Sequence, residues 1–278
     1  MQRNFPRMNA DVGADDPVLR TGAAADALQG RGIAWFSGFF PGASQVEALA
    51  RLAFLQASGQ PVGHLHGEPG CGKTWVLRRF ASESRGEDRE VGYLDVGGHD
   101  GRETLLGIAE LLGVRLTVHD ARYQLWQAIS DRLREHRLMG WTTQLLFDHV
   151  DEAGSEVASL IGRLAHAAES PGSRLILVVA TSRLDGLRDC PGLEDRVGLR
   201  IAVEPWNASE IGEFAGRFAP AAVWEPEAID TLWRLSNGRP REARRLIELG
   251  LQAAELEQLA VVSADLLECV HGELLASL

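Results

Sequence analysis

Eight residues, Gly67-Glu68-Pro69-Gly70-Cys71-Gly72-Lys73-Thr74, constrain this chain more than any other stretch. They fit the pattern G-x-x-x-x-G-K-[ST], the P-loop that wraps the phosphate tail of a nucleoside triphosphate. The glycines let the backbone turn tightly enough to aim successive N–H groups at phosphate oxygens. Lys73 is expected at the β- and γ-phosphates, and the Thr74 hydroxyl at Mg²⁺. A helix starting near Lys73 brings its positive end under the same phosphates. The flanks agree. Pro61 to His66 reads as a short strand with Val62 and Leu65 as its apolar members, and Trp75 to Phe80 opens a helix. Strand, glycine loop, helix is the setting the motif requires. The expected nucleotide contacts are therefore the whole loop, Gly67 to Thr74, with Trp75 beyond it.

A chain of 278 residues with 45% hydrophobic and 24% charged residues can bury one large core, or a core with a smaller appended domain. The net charge of −11 argues against a strong non-specific grip on nucleic acid, leaving a local basic patch as the route to one. Cys71, Cys190 and Cys269 are few, scattered and odd in number, which suggests a reducing compartment and no zinc cluster. Cys71 reads as a small filler residue in the loop before it reads as a redox switch. Met1 to Ala10 lacks the apolar core of a signal peptide, and the run Leu175 to Ala180 is too short to span a bilayer. A cytosolic protein without a membrane span is expected, unless a partner brings it to a membrane.

Residues 1–30 mix Asp, Gly, Ala and Arg with little periodicity and read as a flexible tail. Trp35, Phe36, Phe39 and Phe40 are expected to pack on the main domain, with a place in the adenine pocket as the alternative. Ser44 to Ala57 is a helix carrying Val46, Leu49, Leu52 and Leu55 at helical spacing. Strands follow at Glu90–Val96, Thr143–Phe147, Arg174–Ala180 and Leu199–Val203. Between them lie helices at Thr104–Leu112, Arg122–Arg137 (with Trp126, Ile129 and Leu133 on one face) and Glu156–Ala167. This alternation predicts an α/β fold, a parallel sheet covered on both faces. After Pro205 only helices are expected, at 208–218, 226–236, 240–257 and 263–275, the first opened by the capping pattern Asn207 to Glu210. The reading is a nucleotide-binding α/β domain over 31–205 and a small helical lid over 206–278.

A second strand should deliver a carboxylate to Mg²⁺, and Asp148, ending Leu145-Leu146-Phe147, does so by position. The base that prepares water is open. Hydrolases of this kind place Glu after that Asp, but here the residue is His149. Asp151 or Glu152 from one turn further on, His149 itself, or very slow turnover in a nucleotide switch all fit. A second register makes Asp151 and Glu152 the metal-and-base pair, at the cost of placing Asp148 and His149 inside the apolar strand. Thr181 ends the most apolar strand and is expected beside Asp148, near the γ-phosphate. Arg196 is a candidate arginine finger acting across a subunit boundary. Arg241, after the turn Asn237-Gly238 and near the start of a helix at Pro240, is expected to face the phosphates, with Arg244 and Arg245 one turn on.

In this order, the P-loop, Asp148, Thr181, Arg196 and Arg241 resemble the AAA+ ATPases. Ser44-Gln45-Val46-Glu47-Ala48-Leu49-Ala50-Arg51-Leu52, Glu194-Asp195-Arg196-Val197 and Gly238-Arg239-Pro240-Arg241 resemble the ExeA/GspA-type secretion ATPases and the related TniB/TnsC-type transposition ATPases. The resemblance covers about residues 35–275. It implies a sheet of order 5-1-4-3-2, ATP with Mg²⁺ as the ligand, assembly of several copies with sites between subunits, and ATP hydrolysis that drives conformational change or assembly in a protein partner. A non-hydrolysing switch and a DNA-associated regulator are the alternatives. His149 departs from the family pattern, and the membrane span and cell-wall-binding domain of the secretion proteins have no counterpart here.

Overall fold

The computed structural model describes residues 40–115, 121–188, 190 and 192–276. The expected tail and the aromatic residues Trp35, Phe36 and Phe39 lie outside these. Helix α1 (Ala43–Ser58) leads into β1 (Val62–His66), the P-loop and α2 (Lys73–Glu83). Strand β2 (Arg89–Asp95) follows, then α3 (Gly101–Leu111) and α4 (Arg122–Met139). Next come β3 (Thr142–Asp148), a 3-10 turn at Val150–Glu152, α5 (Ser155–Ala168) and β4 (Leu175–Thr181). A second 3-10 turn, Glu194–Arg196, precedes β5 (Leu199–Ala202). From there the chain runs through α6 (Ala208–Phe218), α7 (Pro226–Ser236), α8 (Pro240–Leu256) and α9 (Ala264–Ala276).

The five strands are parallel in the order β2-β3-β4-β1-β5, the order expected from the sequence. Parallel strands bury both faces, so β4 is an unbroken apolar run, Leu175 to Ala180, all of it buried. Leu145, Phe147, Leu177 and Val179 point into one core with α3, α4 and α5. Leu146, Ile176, Val178 and Ala180 point into the other with α1 and α2. Register then fixes what meets at the carboxyl ends of the strands. Asp95 pairs with Asp148 across β2 and β3, and His66 with Thr181 across β1 and β4. Ligands of open α/β sheets bind at these ends.

Helix α1 is rotated from the expected face. Its buried positions are Gln45, Ala48, Leu52 and Leu55, while Val46 is 53% exposed. The cause is a polar seat. Gln45 Nε2 donates to the carbonyls of Cys71 (2.8 Å) and Glu204 (3.4 Å), and Gln45 Oε1 accepts from Trp206 Nε1 (2.9 Å). Gln45 and Trp206 are both almost wholly buried. The α4 face also differs in part: Leu125, Ile129 and His136 are buried, and Trp126 and Leu133 pack against the core from its edge.

The C-terminal helices are fixed to the sheet through the same tryptophan. The Trp206 N–H donates to the Gly238 carbonyl (2.7 Å), and the Trp206 carbonyl accepts from Trp233 Nε1 (3.1 Å). Asn207 and Glu210 form the reciprocal capping box expected at the start of α6. Pro240 takes the first turn of α8, where a missing N–H costs nothing.

Replacing Gln45 with Leu leaves the buried Trp206 indole N–H and the Cys71 carbonyl without this partner. Stability should fall by about 2–4 kcal/mol, read from the midpoint of urea unfolding. A loss below about 0.5 kcal/mol, the scale of a neutral surface change, would show that the amide network is not a stabilising element.

Candidate functional site

The P-loop needs its glycines for two separate reasons. A Cβ on Gly67 would sit 2.2 Å from the Val203 carbonyl oxygen, so the loop can pass β5 only without a side chain. Gly72, at the N-cap of α2, has φ +97°, a left-handed conformation that other residues rarely adopt. No side chain caps α2, so its first N–H groups face the loop mouth and suit an anion. Glu68 and Pro69 are exposed at the tip of the loop. Cys71 is buried, and burial pushes its thiol pKa up, in keeping with a filler residue. Trp75 is half-buried and packs on the core of α1 and α2.

Lys73 Nζ donates to the carbonyls of Gly67 (2.6 Å) and Glu68 (3.1 Å). Burial lowers its pKa, against the opposing pull of Cys71, Asp148 and Asp151. The Thr74 hydroxyl donates to Asp148 Oδ2 at 2.6 Å. Asp148 is fully buried at the end of β3, and its carboxylate accepts two more bonds, from the Tyr93 hydroxyl to Oδ2 (3.0 Å) and from the His149 N–H to Oδ1 (3.0 Å). Burial raises the Tyr93 pKa, with the Asp148 charge adding to it, so the phenol stays a donor. Asp148 thus closes the strand, as the first register has it, and His149 begins the turn with φ 55°.

The three candidates for the water-activating group point in different directions. His149 Nδ1 lies 2.9 Å from Asp95 Oδ1. Burial lowers the His149 pKa, but Asp148, Asp95 and Glu152 outweigh this and raise it on balance. Glu152 lies toward the end of β2, its Oε2 3.5 Å from where a Gly97 side chain would begin. Asp151 turns the other way, toward β4. Its Oδ2 accepts from the Ser182 N–H (2.9 Å) and from the Ser182 hydroxyl. Its Oδ1 is buried with no protein partner among the described residues, and its charge acts on Lys73.

Thr181 is fully buried at the end of β4, and its hydroxyl is engaged. It donates to the Arg183 carbonyl (2.5 Å) and lies 2.7 Å from His64 Nε2. With the hydroxyl proton on Arg183, His64 Nε2–H is the donor. Burial first, then His66 and Arg200, lower the His64 pKa to about 4, so this imidazole is neutral at pH 7. Arg241 reaches the P-loop through its backbone: its N–H donates to the Gly70 carbonyl (3.4 Å), and its Cβ is 3.5 Å from where a Gly70 side chain would begin. Arg196 is not part of this cluster. Its Nε donates to Glu169 Oε2 (2.8 Å), and Nη1 donates to the Gly192 carbonyl.

Five residues at or beside the site escaped the sequence reading: Gln45, His64, Tyr93, Ser182 and Arg239. Arg239 flanks Gly70 beside Arg241, its Cβ 3.7 Å from the same point. Its neighbourhood was legible in Gly238-Arg239-Pro240-Arg241, and that of Gln45 in Ser44 to Leu52; the others are single residues on ordinary elements. The donor set fits a triphosphate and Mg²⁺: a loop with no room for a Cβ at Gly67, an uncapped helix start, a buried lysine, the hard oxygens of Thr74 and Asp148, and an orphaned carboxylate oxygen on Asp151.

Residues 56–187 match the family model described as AAA domain. Over 203 residues, 71% of this chain, the sequence is 30% identical to the Holliday junction branch migration complex subunit RuvB 2 of Synechococcus sp. (strain JA-3-3Ab), of which the match covers 50%. The chain thus spans about half the length of the curated relatives it matches. Among solved structures it is similar to Cdc6p from Pyrobaculum aerophilum, with a TM-score of 0.67 at 18% identity over 81% of this chain and 66% of that one. It is also similar to the Aeropyrum pernix Orc1 protein in complex with DNA, with a TM-score of 0.66 at 19% identity over 85% of this chain and 66% of that one. Residues 56–187 are thus similar to an AAA domain, and the fold is the P-loop AAA+ fold.

Proposed function

We propose that the protein binds ATP with Mg²⁺ and hydrolyses it to drive conformational change or assembly in a protein partner. The observation that carries this is the contact of Thr74 with the buried Asp148 beside Lys73 and the uncapped start of α2. In this reading the Gly67–Thr74 backbone and Lys73 hold the β- and γ-phosphates, and Thr74 and Asp148 hold Mg²⁺. The ion, when bound, neutralises charge on the phosphate oxygens. Tyr93 and the His149 N–H keep the Asp148 carboxylate oriented. Asp151, which has an oxygen unpartnered among the described residues and whose charge acts on Lys73, orients the attacking water. Thr181 holds the end of β4, with His64 behind it.

Residues 206–278 act as a lid in this reading, because Arg241 and Arg239 on α8 and its cap flank Gly70 and can follow the state of the phosphates. Arg196, on its turn before β5, reaches a neighbouring copy's nucleotide once it leaves Glu169. The sequence resemblance to ExeA/GspA-type and TniB/TnsC-type ATPases supports a reading as an assembly factor of that class, working in a reducing, cytoplasmic compartment.

A second reading is an ATP-dependent switch with little turnover, favoured by His149 standing in the Glu position and engaged with Asp95. A third is a DNA-associated regulator, favoured by the branch-migration name of the curated relatives and opposed by the net charge of −11.

Three measurements separate these readings. Lys73→Ala should weaken ATP–Mg²⁺ binding at least about tenfold by calorimetry, the scale of one lost charge-assisted contact, and reduce phosphate release to background. Equal affinity in variant and wild type would remove the site from the P-loop. Asp151→Asn should retain ATP binding and lower turnover by about 10²-fold, as expected for a lost general base. Unchanged turnover would transfer that role to His149 or Glu152, and wild-type binding without turnover would establish the switch. Finally, fluorescence anisotropy with labelled duplex DNA, ATP and low salt should show no binding up to micromolar protein. Salt-sensitive binding would favour the third reading.

A further inference from the structure

We propose that the groove between α4 and α5 is a docking site for an acidic amphipathic helix of a partner protein. This does not depend on the nucleotide chemistry. Tyr123, Trp126, Ser130, Leu133 and Arg137, with Trp141 just past the helix, recur at the three- and four-residue spacing of one helix face. All of them line two cavities, of about 490 Å³ and about 210 Å³, which share Trp126. The opposite wall is α5, from Glu156 through Arg163 to Ala167. Along α5 the groove runs from Glu156 to Ala167, about 17 Å at the helical rise, long enough for three turns of a bound helix.

The surface is both apolar and basic, which decides the occupant. Tyr123 is 72% exposed, and Leu138 and Met139 at the end of α4 are also exposed. Arg122 is paired with Glu156 and Arg134 with Asp131. Arg137, Arg163 and Arg174 have no carboxylate within 4 Å among the described residues. In a chain of net charge −11, five arginines and a single carboxylate, Glu156, line the two cavities around the tryptophans. Aromatic and arginine side chains are the usual anchors of protein interfaces, and helix-in-groove binding reads apolar residues at this spacing. Single-stranded nucleic acid fits less well. The Trp126 face on which a base would stack is covered by the Arg163 guanidinium, 3.8 Å from the ring centroid. The complementary ligand is a helix with an apolar stripe flanked by Asp and Glu.

The test uses the whole protein and fluorescein-labelled peptides of about 18 residues, with Leu at i, i+3, i+4 and i+7. One peptide has Glu at the remaining positions, a second has Lys there, and a third has the Glu content with Gly replacing Leu. The Glu/Leu peptide should bind at micromolar concentration and at least about tenfold more tightly than either control. The double variant Arg137→Glu, Arg174→Glu should lose at least about tenfold in affinity for it and gain affinity for the Lys/Leu peptide. Both positions are exposed, so the circular-dichroism melt should not move, and the reversal of preference reports charge readout rather than folding. No binding of the Glu/Leu peptide up to about 100 µM, equal binding of all three peptides, or an unchanged double variant would overturn the proposal. So would sedimentation showing that wild type self-associates and the double variant does not, since the occupant would then be a second copy. Preference for a single-stranded oligonucleotide over the peptide would overturn it as well.

Discussion

A single buried amide ties the phosphate loop to the rest of the molecule. Gln45 donates to the Cys71 carbonyl inside the loop and accepts from Trp206 at the joint between sheet and C-terminal helices. Its surroundings are dry, and a buried polar group without a partner is costly, so each of the three groups holds the others in place. Trp206 extends the chain of contacts to Gly238 and Trp233. Gly238 precedes Arg239 and Arg241, which return to flank Gly70. The loop is thus held from its concealed side by Gln45 and from its mouth by α8.

Charge around the site is arranged with the same economy. Asp148 is buried but accepts from Thr74, Tyr93 and its own following N–H, so its carboxylate is not left without partners. His149 and Asp95 form a pair on one side of it, and Asp151 and Ser182 form another on the β4 side. His149 stands in a left-handed turn between them, and the side chains of His149 and Asp151 meet β2 and the end of β4 respectively. Where hydrolases with this motif carry Glu, the chain carries an imidazole already engaged by β2. The carboxylate with a free oxygen comes from two residues further on.

The face of α4 and α5 lies on the other core from the P-loop helix α2. Its lining carries five arginines and one glutamate, whereas several arginines elsewhere are paired along their own helices, as Arg51 with Glu47, Arg79 with Glu83 and Arg217 with Glu213. Such exposed pairs add little stability, but they leave the surface electrically quiet.

The sequence alone determined the loop, its flanking strand and helix, the carboxylate ending β3 and the alternation that makes a parallel sheet. These depend on local requirements: a glycine where φ is positive, an apolar run where both faces are buried, a proline where a helix begins. The strand order came from family resemblance, and the sheet has that order. Side-chain aim needed the tertiary structure. His64 and Thr181 meet across 117 residues, and Gln45 and Trp206 across 161. Helical spacing put Val46 on the buried face of α1, but burial went to Gln45, whose amide had partners in the P-loop and at Trp206. Spacing alone also left Asp151, Glu152 and His149 equivalent, whereas in the fold His149 meets Asp95 and Asp151 meets Ser182. Periodicity is a property of a segment, whereas hydrogen-bond satisfaction belongs to whichever segments the fold brings together, and at this site the second decided which groups face the lysine.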